Sequence, residues 1–489
     1  MLARRRRSTQ WLWNLYHDTP EQTLRQQRHA LRMRCISDHP WKSTASAATL
    51  RGEWVQAFKS AGVSQGGLSR RGEWESRQPS GQLNPLALRT TPWAELDPDG
   101  RLFGELVPCF ETRCRRTVWT LYRFHGATIE VALDLGEVIA GDRAEPILEL
   151  ELELKSGAPE ALFILGRDIA SVQAVLPCDQ SKAERGYQLA QGLAHPATPA
   201  AALRLSAYAT PLEAASKAFG ATFDQFTRNL SSLLTSDEPE VVHQARVAWR
   251  RWRSAVRLFG PWLPGRPDAS GLRPLLDELG PLRDLDVLRT DTLGRCLPAF
   301  VDGDPERQHI ADRTLERIDQ ARSAQRERAR AASLAQPATG LALLGLAHEL
   351  LQTTTADALP QTLQTASDAA GRRRSDKHSP WVVKRMRKLQ QRMEDALAAG
   401  QPPHADPEQV HRARILTKRT RYAAEMLRDL LPAKRTKALT QGATAVQAQL
   451  GDDRDLQQAV RLLGTLEAAP RLIEFLRGVV AHGAIAGGG

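Results

Sequence analysis

Two helix-length stretches carry ladders of histidine and cations, residue types that suit holding a long anion rather than breaking a bond. The first is His243, Arg246, Arg250, Arg253 and Arg257; the second is His411, Arg414, Lys418 and Arg421, with Glu425 at its last step. At about 100° per residue, each set falls within roughly 80° of one helix face. Beside the ladders lie apolar or small stripes: Val242, Ala245, Trp249, Trp252, Val256 and Phe259 in the first, Val410, Ala413, Ala424 and Leu427 in the second. Stacked like charges at these spacings cost about a few tenths of a kcal/mol per pair in an isolated helix. A solvated basic face is one reading of such a run. A polyanion that neutralises it is the other.

Duplication favours the polyanion. The ladders lie 168 residues apart, and a second shared motif follows each: Leu279-Gly280-Pro281-Leu282-Arg283-Asp284-Leu285 and Leu450-Gly451-Asp452-Asp453-Arg454-Asp455-Leu456, offset by 171. Two motifs at nearly one offset mark an internal repeat whose copies pack together. Two cationic faces would then line one groove, with Asp284 and Asp455 fixing neighbouring arginines. His243 and His411 would serve as phosphate donors at acid pH or as packing residues.

A second set of charges lies on strands. Ile147 to Leu154 alternates apolar residues with Glu149, Glu151 and Glu153. Such a strand is either a solvent-facing edge or the inner wall of a barrel that holds a polar ligand. Arg32 and Arg34 alternate on another strand, Arg71, Glu73 and Glu75 on a third, and Lys59, Arg116, Glu130 and Asp134 on others. A lumen with both signs suits a phosphate chain bridged by a divalent metal. Carboxylates would hold Mg²⁺ or Mn²⁺, and Arg and Lys would take phosphate oxygens. Phosphoryl transfer to water needs mainly that positioning and neutralisation.

The elements that must position these residues change character along the chain. Period-2 alternation predicts strands from about residue 11 to 155, and the period turns helical from about 158 to 192. Ala194 to Pro199 reads as a linker, and Pro211 to about residue 481 is almost wholly helical, with a polar break from Ser367 to Pro380. The 489 residues carry a net charge of +11, which favours anionic partners, and five cysteines without metal spacing, which favours a reducing compartment. No apolar run is long enough to span a membrane. The basic start, Arg4 to Arg7, lacks the apolar segment of a signal peptide, so a cytoplasmic chain is expected.

These motifs resemble a known pairing. Residues 11–192 resemble a CYTH domain, the triphosphate tunnel metalloenzyme family, through Leu15-Tyr16-His17-Asp18-Thr19-Pro20, Ala30-Leu31-Arg32-Met33-Arg34, Trp54 to Lys59, Arg71-Gly72-Glu73-Trp74-Glu75 and Glu145 to Leu154. Residues 211–481 resemble a CHAD domain, a helical family with duplicated His-and-Arg helices. The resemblance implies an α+β multidomain chain: an N-terminal antiparallel β tunnel barrel of the eight-stranded type, then an all-α duplicated bundle. The expected divisions are 1–192, a linker at 193–210, and 211–481 with repeats at about 211–366 and 381–481. The family's Glu-x-Glu-x-Lys strand should precede Tyr16, and Met1 to Leu15 hold no carboxylate. The barrel is therefore expected to be incomplete and its turnover weak or absent.

By that resemblance Arg32, Arg34, Lys59 and Arg116 bind substrate, and Glu149, Glu151 and Asp134 orient the attacking water. Glu149, Glu151, Glu153, Asp134, Glu73 and Glu75 would hold metal, while Lys182 and Arg185 would close the tunnel mouth or lie at the surface. The expected activity is metal-dependent hydrolysis of inorganic triphosphate, coupled to polyphosphate binding by the helical ladders. The alternative is a catalytically impaired polyphosphate-binding protein. Polyphosphate-granule association is expected, and no specific nucleic acid, since neither a recognition helix nor a base-stacking platform is evident.

Overall fold

The computed structural model describes residues 7–41, 49–60, 62–65, 68–193, 195–263, 265–354, 380–399 and 406–486. The basic start before Arg7, the polar break up to residue 379, residues 42–48 and the tail 487–489 lie outside the described residues, as do the side chains of Leu450 to Arg454. The chain forms two compact units, residues 1–172 with 177–196, and residues 173–176 with 197–489.

In the first unit, β1 (Arg7–Asp18), β2 (Ala30–Ser37), β3 (Glu53–Lys59), β6 (Glu73–Gln78), β7 (Val107–Phe124), β8 (Ala127–Ala140) and β9 (Arg143–Ser156) form one antiparallel sheet. The order is β6-β3-β2-β1-β7-β8-β9, and β4 (Val63–Gln65) and β5 (Leu68–Arg70) make a separate hairpin. Thus seven strands of the eight-stranded type stand among the described residues. The long strands are joined by tight turns. His125 and Gly126 both take positive φ between Phe124 and Ala127, the geometry a two-residue hairpin loop demands.

The outer face of the sheet is apolar and covered. Leu121, Ile129 and Val131, with Leu150, Leu152 and Leu154, pack with Ala161 and Leu165 of α4 (Glu160–Ala170). Leu31 and Phe58 pack with Leu24 of α1 (Thr23–Gln26) and Trp93 of α2 (Trp93–Leu96), and α3 (Arg101–Gly104) follows. These last three helices fall inside the region read as strands. Each is four residues long, too short for helical periodicity to appear.

One end of the inner face is closed by α5 (Lys182–Ala190). Its Tyr187 and Leu189 pack with Tyr16, Phe110, Val138 and Ile147. The Tyr187 hydroxyl donates to Asp18 Oδ2 at 2.7 Å, and the same carboxylate accepts from the backbone N–H of Thr19, Leu24 and Arg25. Gly186 lets the helix approach Phe110: a Cβ there would lie 2.1 Å from the ring.

The second unit is helical: α6 (Pro211–Leu233), α7 (Pro239–Phe259), α8 (Arg273–Val287), α9 (Leu293–Val301), α10 (Pro305–Arg328), α11 (Pro337–Thr354), α12 (Pro380–Ala399), α13 (Pro407–Met426), α14 (Ala433–Thr465) and α15 (Pro470–Ala486). The ladders fall on α7 and α13, and both helices begin with proline, whose fixed φ suits the first turn. The shared Leu-Gly motifs lie on α8 and α14. Most of the apolar stripe of α7 is buried: Val242, Ala245 and Phe259 are fully so, Trp249 and Val256 are half-buried, and Trp252 meets Phe219 of α6 in a tilted contact at 4.9 Å. None of the described helices is long and apolar enough to cross a membrane.

The α5 clasp yields a direct test. Gly186→Ala drives a methyl group into Phe110 and should destabilise the β unit by about 1–3 kcal/mol. Tyr187→Phe removes one hydrogen bond to Asp18 and should cost about 1 kcal/mol. Urea unfolding of the full chain measures both, and equal midpoints for Gly186→Ala and the native chain would contradict this packing.

A charged inner face as candidate anion site

Strand register decides which side chains meet. Tyr16 pairs with Arg32, and Asn14 pairs with both Arg34 and Thr112. Arg116 pairs with Asp134, Asp134 with Glu149, and Ala132 with Glu151. On the other side Ala57 pairs with Arg32 and with Glu75, and Lys59 with Glu73. Because side chains alternate between faces, all of these share one face. The sequence-expected charges therefore come together on the inner face, opposite the apolar one.

They form two clusters. In the first, Arg32 Nη2 lies 3.1 Å from Glu73 Oε1 and 3.2 Å from Glu75 Oε1, and Lys59 Nζ lies 2.8 Å from Glu73 Oε1. Arg34 Nε donates to Asn14 Oδ1 at 2.7 Å, and Asn14 Nδ2 donates onward to Thr112 Oγ1. In the second, Arg116 grips Asp134 through two bonds of 2.8 and 2.6 Å and reaches Glu151 at 2.7 Å. Lys182 Nζ lies 2.9 Å from Asp134 and 2.7 Å from Glu151, and also bonds Glu149. Arg185 bridges Glu145 at 2.8 Å and Glu149 at 2.7 Å.

Burial and neighbours set the charges. Burial, with Arg32 and Arg116 beside it, brings Arg34 down to about 10. Burial and the adjacent Arg32 bring Lys59 down to about 7, against the pull of Glu73. Burial opposes ionisation of Glu73, but Lys59 and Arg32 outweigh it and hold that carboxyl at about 2. Lys182 stands above the ordinary lysine range because Glu151, Glu149 and Asp134 overcome its burial. Glu151 is driven down against its burial by Lys182 and Arg116, and Asp134 by its hydrogen bond to Arg116 and by Lys182.

The acids expected to ligate metal all have cationic partners in this structure. Among the described residues no group of three or more His, Cys, Asp or Glu side chains is arranged to hold a metal ion. The acids are engaged by cations instead: Glu73 and Glu75 by Arg32, Asp134 by Arg116, and Glu149 by Lys182 and Arg185. Glu153 leaves the cluster altogether. Its side chain is 62% exposed and pairs with Lys155 at 2.7 Å, which also approaches Glu130. Arg71 precedes β6 rather than lying on it. This donor set, as arranged, does not fit Mg²⁺ or Mn²⁺.

Lys182 and Arg185, left open in the sequence reading, thus belong to the site. So do Asn14 and Glu145. Asn14 carried no sequence signal and Glu145 showed only as part of the Glu145 to Leu154 run, since each acts through a partner 20 or more residues away.

In the helical unit, α7 packs against α13. His243, Arg246, Arg250 and Arg257 are half-buried and Arg253 is exposed; on α13, His411 is exposed and Arg414, Lys418 and Arg421 are half-buried. Burial and the nearby Arg283 lower the pKa of His243, so it charges less readily than a free histidine. Arg421 is drawn 3.7 Å from Glu425 and lies over Tyr422. A cation of α13 that feels the α7 ladder is Arg419, one step off the expected stripe. Burial, then Arg257 and Arg253, bring it down to about 10. Gly280 of α8 faces Arg246, whose Nη1 would lie 3.3 Å from a Cβ there. Asp284 accepts from Gln458, and Arg322 is held by both Asp286, two residues on, and Asp319.

Comparisons with known proteins divide at the same place. A family model described as the CHAD domain matches residues 217–464, and one described as the CYTH domain matches residues 8–187. An inorganic triphosphatase from Haemophilus influenzae is 33% identical over 184 residues, 37% of this chain and 46% of its own length. The chain thus spans about half of that relative. The CHAD domain of Ricinus communis is 30% identical over 59% of this chain and 91% of its own, with a TM-score of 0.48. A Hippeastrum protein, described as a putative adenylyl cyclase with a dominant triphosphatase activity, is 20% identical over 38% and 86%, with a TM-score of 0.28.

The ion network makes a stability prediction. Arg116→Met leaves the fully buried Asp134 without its two-bond partner and should cost about 3 kcal/mol at pH 7. The Asp134 pKa is lower folded than unfolded, so the unfolded state binds more protons between the two values. The stabilisation is complete above about pH 4 and is lost as pH falls through the folded pKa. Urea midpoints of native and variant chains should therefore converge in acid, and a pH-independent gap would contradict the pairing.

Proposed function

Given that the chain belongs to the CHAD family and carries a CYTH domain ahead of that helical region, we propose that its inner β face binds inorganic triphosphate and hydrolyses it. The observation that carries this reading is the single face on which Arg32, Arg34, Lys59, Arg116, Lys182 and Arg185 interleave with carboxylates. Phosphate oxygens would exchange with those carboxylates for the guanidinium and ammonium groups, keeping the buried charge balanced. Asp134, Glu149 and Glu151 would then be released to orient water toward the terminal phosphorus, as the bridging P–O bond breaks. The similarity to an inorganic triphosphatase supports the same substrate class.

A second reading is favoured by one observation. Every carboxylate of the two clusters already holds a cation, so the face is built for binding and is poorly prepared for turnover. We therefore expect saturable binding of tripolyphosphate with slow phosphate release. Arg32→Ala with Arg34→Ala should weaken binding at least about tenfold, at about 1.4 kcal/mol per factor of ten. Calorimetric titration and a phosphate-release assay, each with and without Mg²⁺ or Mn²⁺, check this. No saturable binding to the native chain would overturn the reading.

The helical unit is proposed to hold polyphosphate along the seam where Arg253 and Arg257 meet Arg419. With it go the domain divisions at 1–192, 193–210 and 211–481 and a cytoplasmic, granule-associated setting. Binding through many phosphate contacts weakens steeply with salt. Replacing Arg253, Arg257 and Arg419 with alanine in the full chain should lower long-chain polyphosphate affinity roughly tenfold and flatten its salt dependence. Duplex DNA displacing polyphosphate at equal phosphate concentration would redirect the assignment to nucleic acid.

A further inference from the structure

The carboxylates of β8 and β9 do not merely sit near a cation; three of them close around one nitrogen. Asp134, Glu149 and Glu151 each place an oxygen within hydrogen-bond reach of Lys182 Nζ. An ammonium has three donors, and all three are used. Each carboxylate also accepts from an arginine: Asp134 and Glu151 from Arg116, and Glu149 from Arg185. Mg²⁺ draws oxygens to about 2.0–2.1 Å in an octahedron, whereas Asp134 and Glu151 stand 2.9 and 2.7 Å from the nitrogen. A metal at this point would have to expel Lys182 and pull the oxygens inward.

Lys182 is not free to leave at little cost. It is the first residue of α5, whose N-terminus is capped by the Ser181 hydroxyl accepting from Glu184 N. Three residues on, Arg185 is bonded to Glu145, Glu149 and the carbonyl of Pro146. Then come Gly186 against Phe110 and Tyr187 bonded to Asp18. The ammonium is a tethered ion, and its effective concentration at the cluster exceeds that of a free cation in solution.

We propose that Lys182 is the built-in cation of the Asp134–Glu149–Glu151 cluster and keeps divalent metal out of it in the ligand-free protein. A phosphate chain would offer Lys182 and Arg185 another partner, and the resting protein is metal-free at this point.

Mn²⁺ titration of the full chain, followed by the loss of free-ion electron paramagnetic resonance signal, tests this without any phosphate present. Whether the chain hydrolyses triphosphate does not affect the readout. The native chain and Glu149→Gln should show the same Mn²⁺ binding. Lys182→Met should gain one site, at least about tenfold tighter than anything on the native chain, and Glu149→Gln in that background should remove it. Lys182→Arg, which keeps a cation, should behave as native. A native Mn²⁺ site that Glu149→Gln abolishes would overturn the proposal, as would a folded Lys182→Met chain with no gain. If Lys182→Met loses its circular dichroism signature, the native and Glu149→Gln comparison still decides.

Discussion

Charge pairing inside an antiparallel sheet is the constraint on which the first unit depends. Alternation puts every second residue of seven strands on one face, and here that face carries arginines, lysines and carboxylates where an apolar core would ordinarily stand. An unpaired buried charge costs several kcal/mol, so each must find a partner. The register supplies them: Arg116 opposite Asp134, Lys59 opposite Glu73, and Asp134 opposite Glu149 with Lys182 reaching in between. Such a network gains little stability over a well-packed apolar one. The use proposed for it is exchange, because an incoming phosphate chain would replace carboxylates as partner to the cations without leaving any charge bare.

The second unit applies the same economy of charge to a different geometry. Cations on one helix face sit one turn apart, and they repel wherever no acid stands between them. Their neutralisation falls partly to the fold: Glu425 takes Arg421, and the backbone carbonyls of Arg257 and Leu258 take Arg385 of α12. Burial first, and then repulsion from Arg257 and Arg253, make Arg419 bind its proton less tightly than an ordinary arginine. The seam between the two ladder helices is therefore where the proposed polyphosphate would gain most.

Much of this was legible in the chain. The Glu149-Glu151-Glu153 alternation announced a strand with one charged face, and the repeated ladders announced paired helices, because both patterns are local and periodic. The unread parts depend on long-range contact. Lys182 and Arg185 show as ordinary helix cations until α5 is laid against β9. Glu153 carries the same local pattern as Glu149 but falls beyond the reach of α5 and turns to Lys155. Arg419 lies one residue from the expected stripe because the crossing of α7 and α13, which no single-helix wheel contains, decides which cations face each other. The cations that the fold brings between the acids of the expected metal site were illegible for a related reason: Lys182 and Arg185 reach Glu149 only through the docking of α5.

The central claim is that one sheet face, with its charges held in exchangeable pairs, receives the triphosphate. A crystal structure of the full chain with tripolyphosphate tests it most directly. The account predicts phosphate oxygens on Arg32, Arg34 and Arg116, with Lys182 moved from Asp134, Glu149 and Glu151 onto the ligand. Tripolyphosphate found only on the helical unit, with every ion pair of the inner face intact, would contradict it.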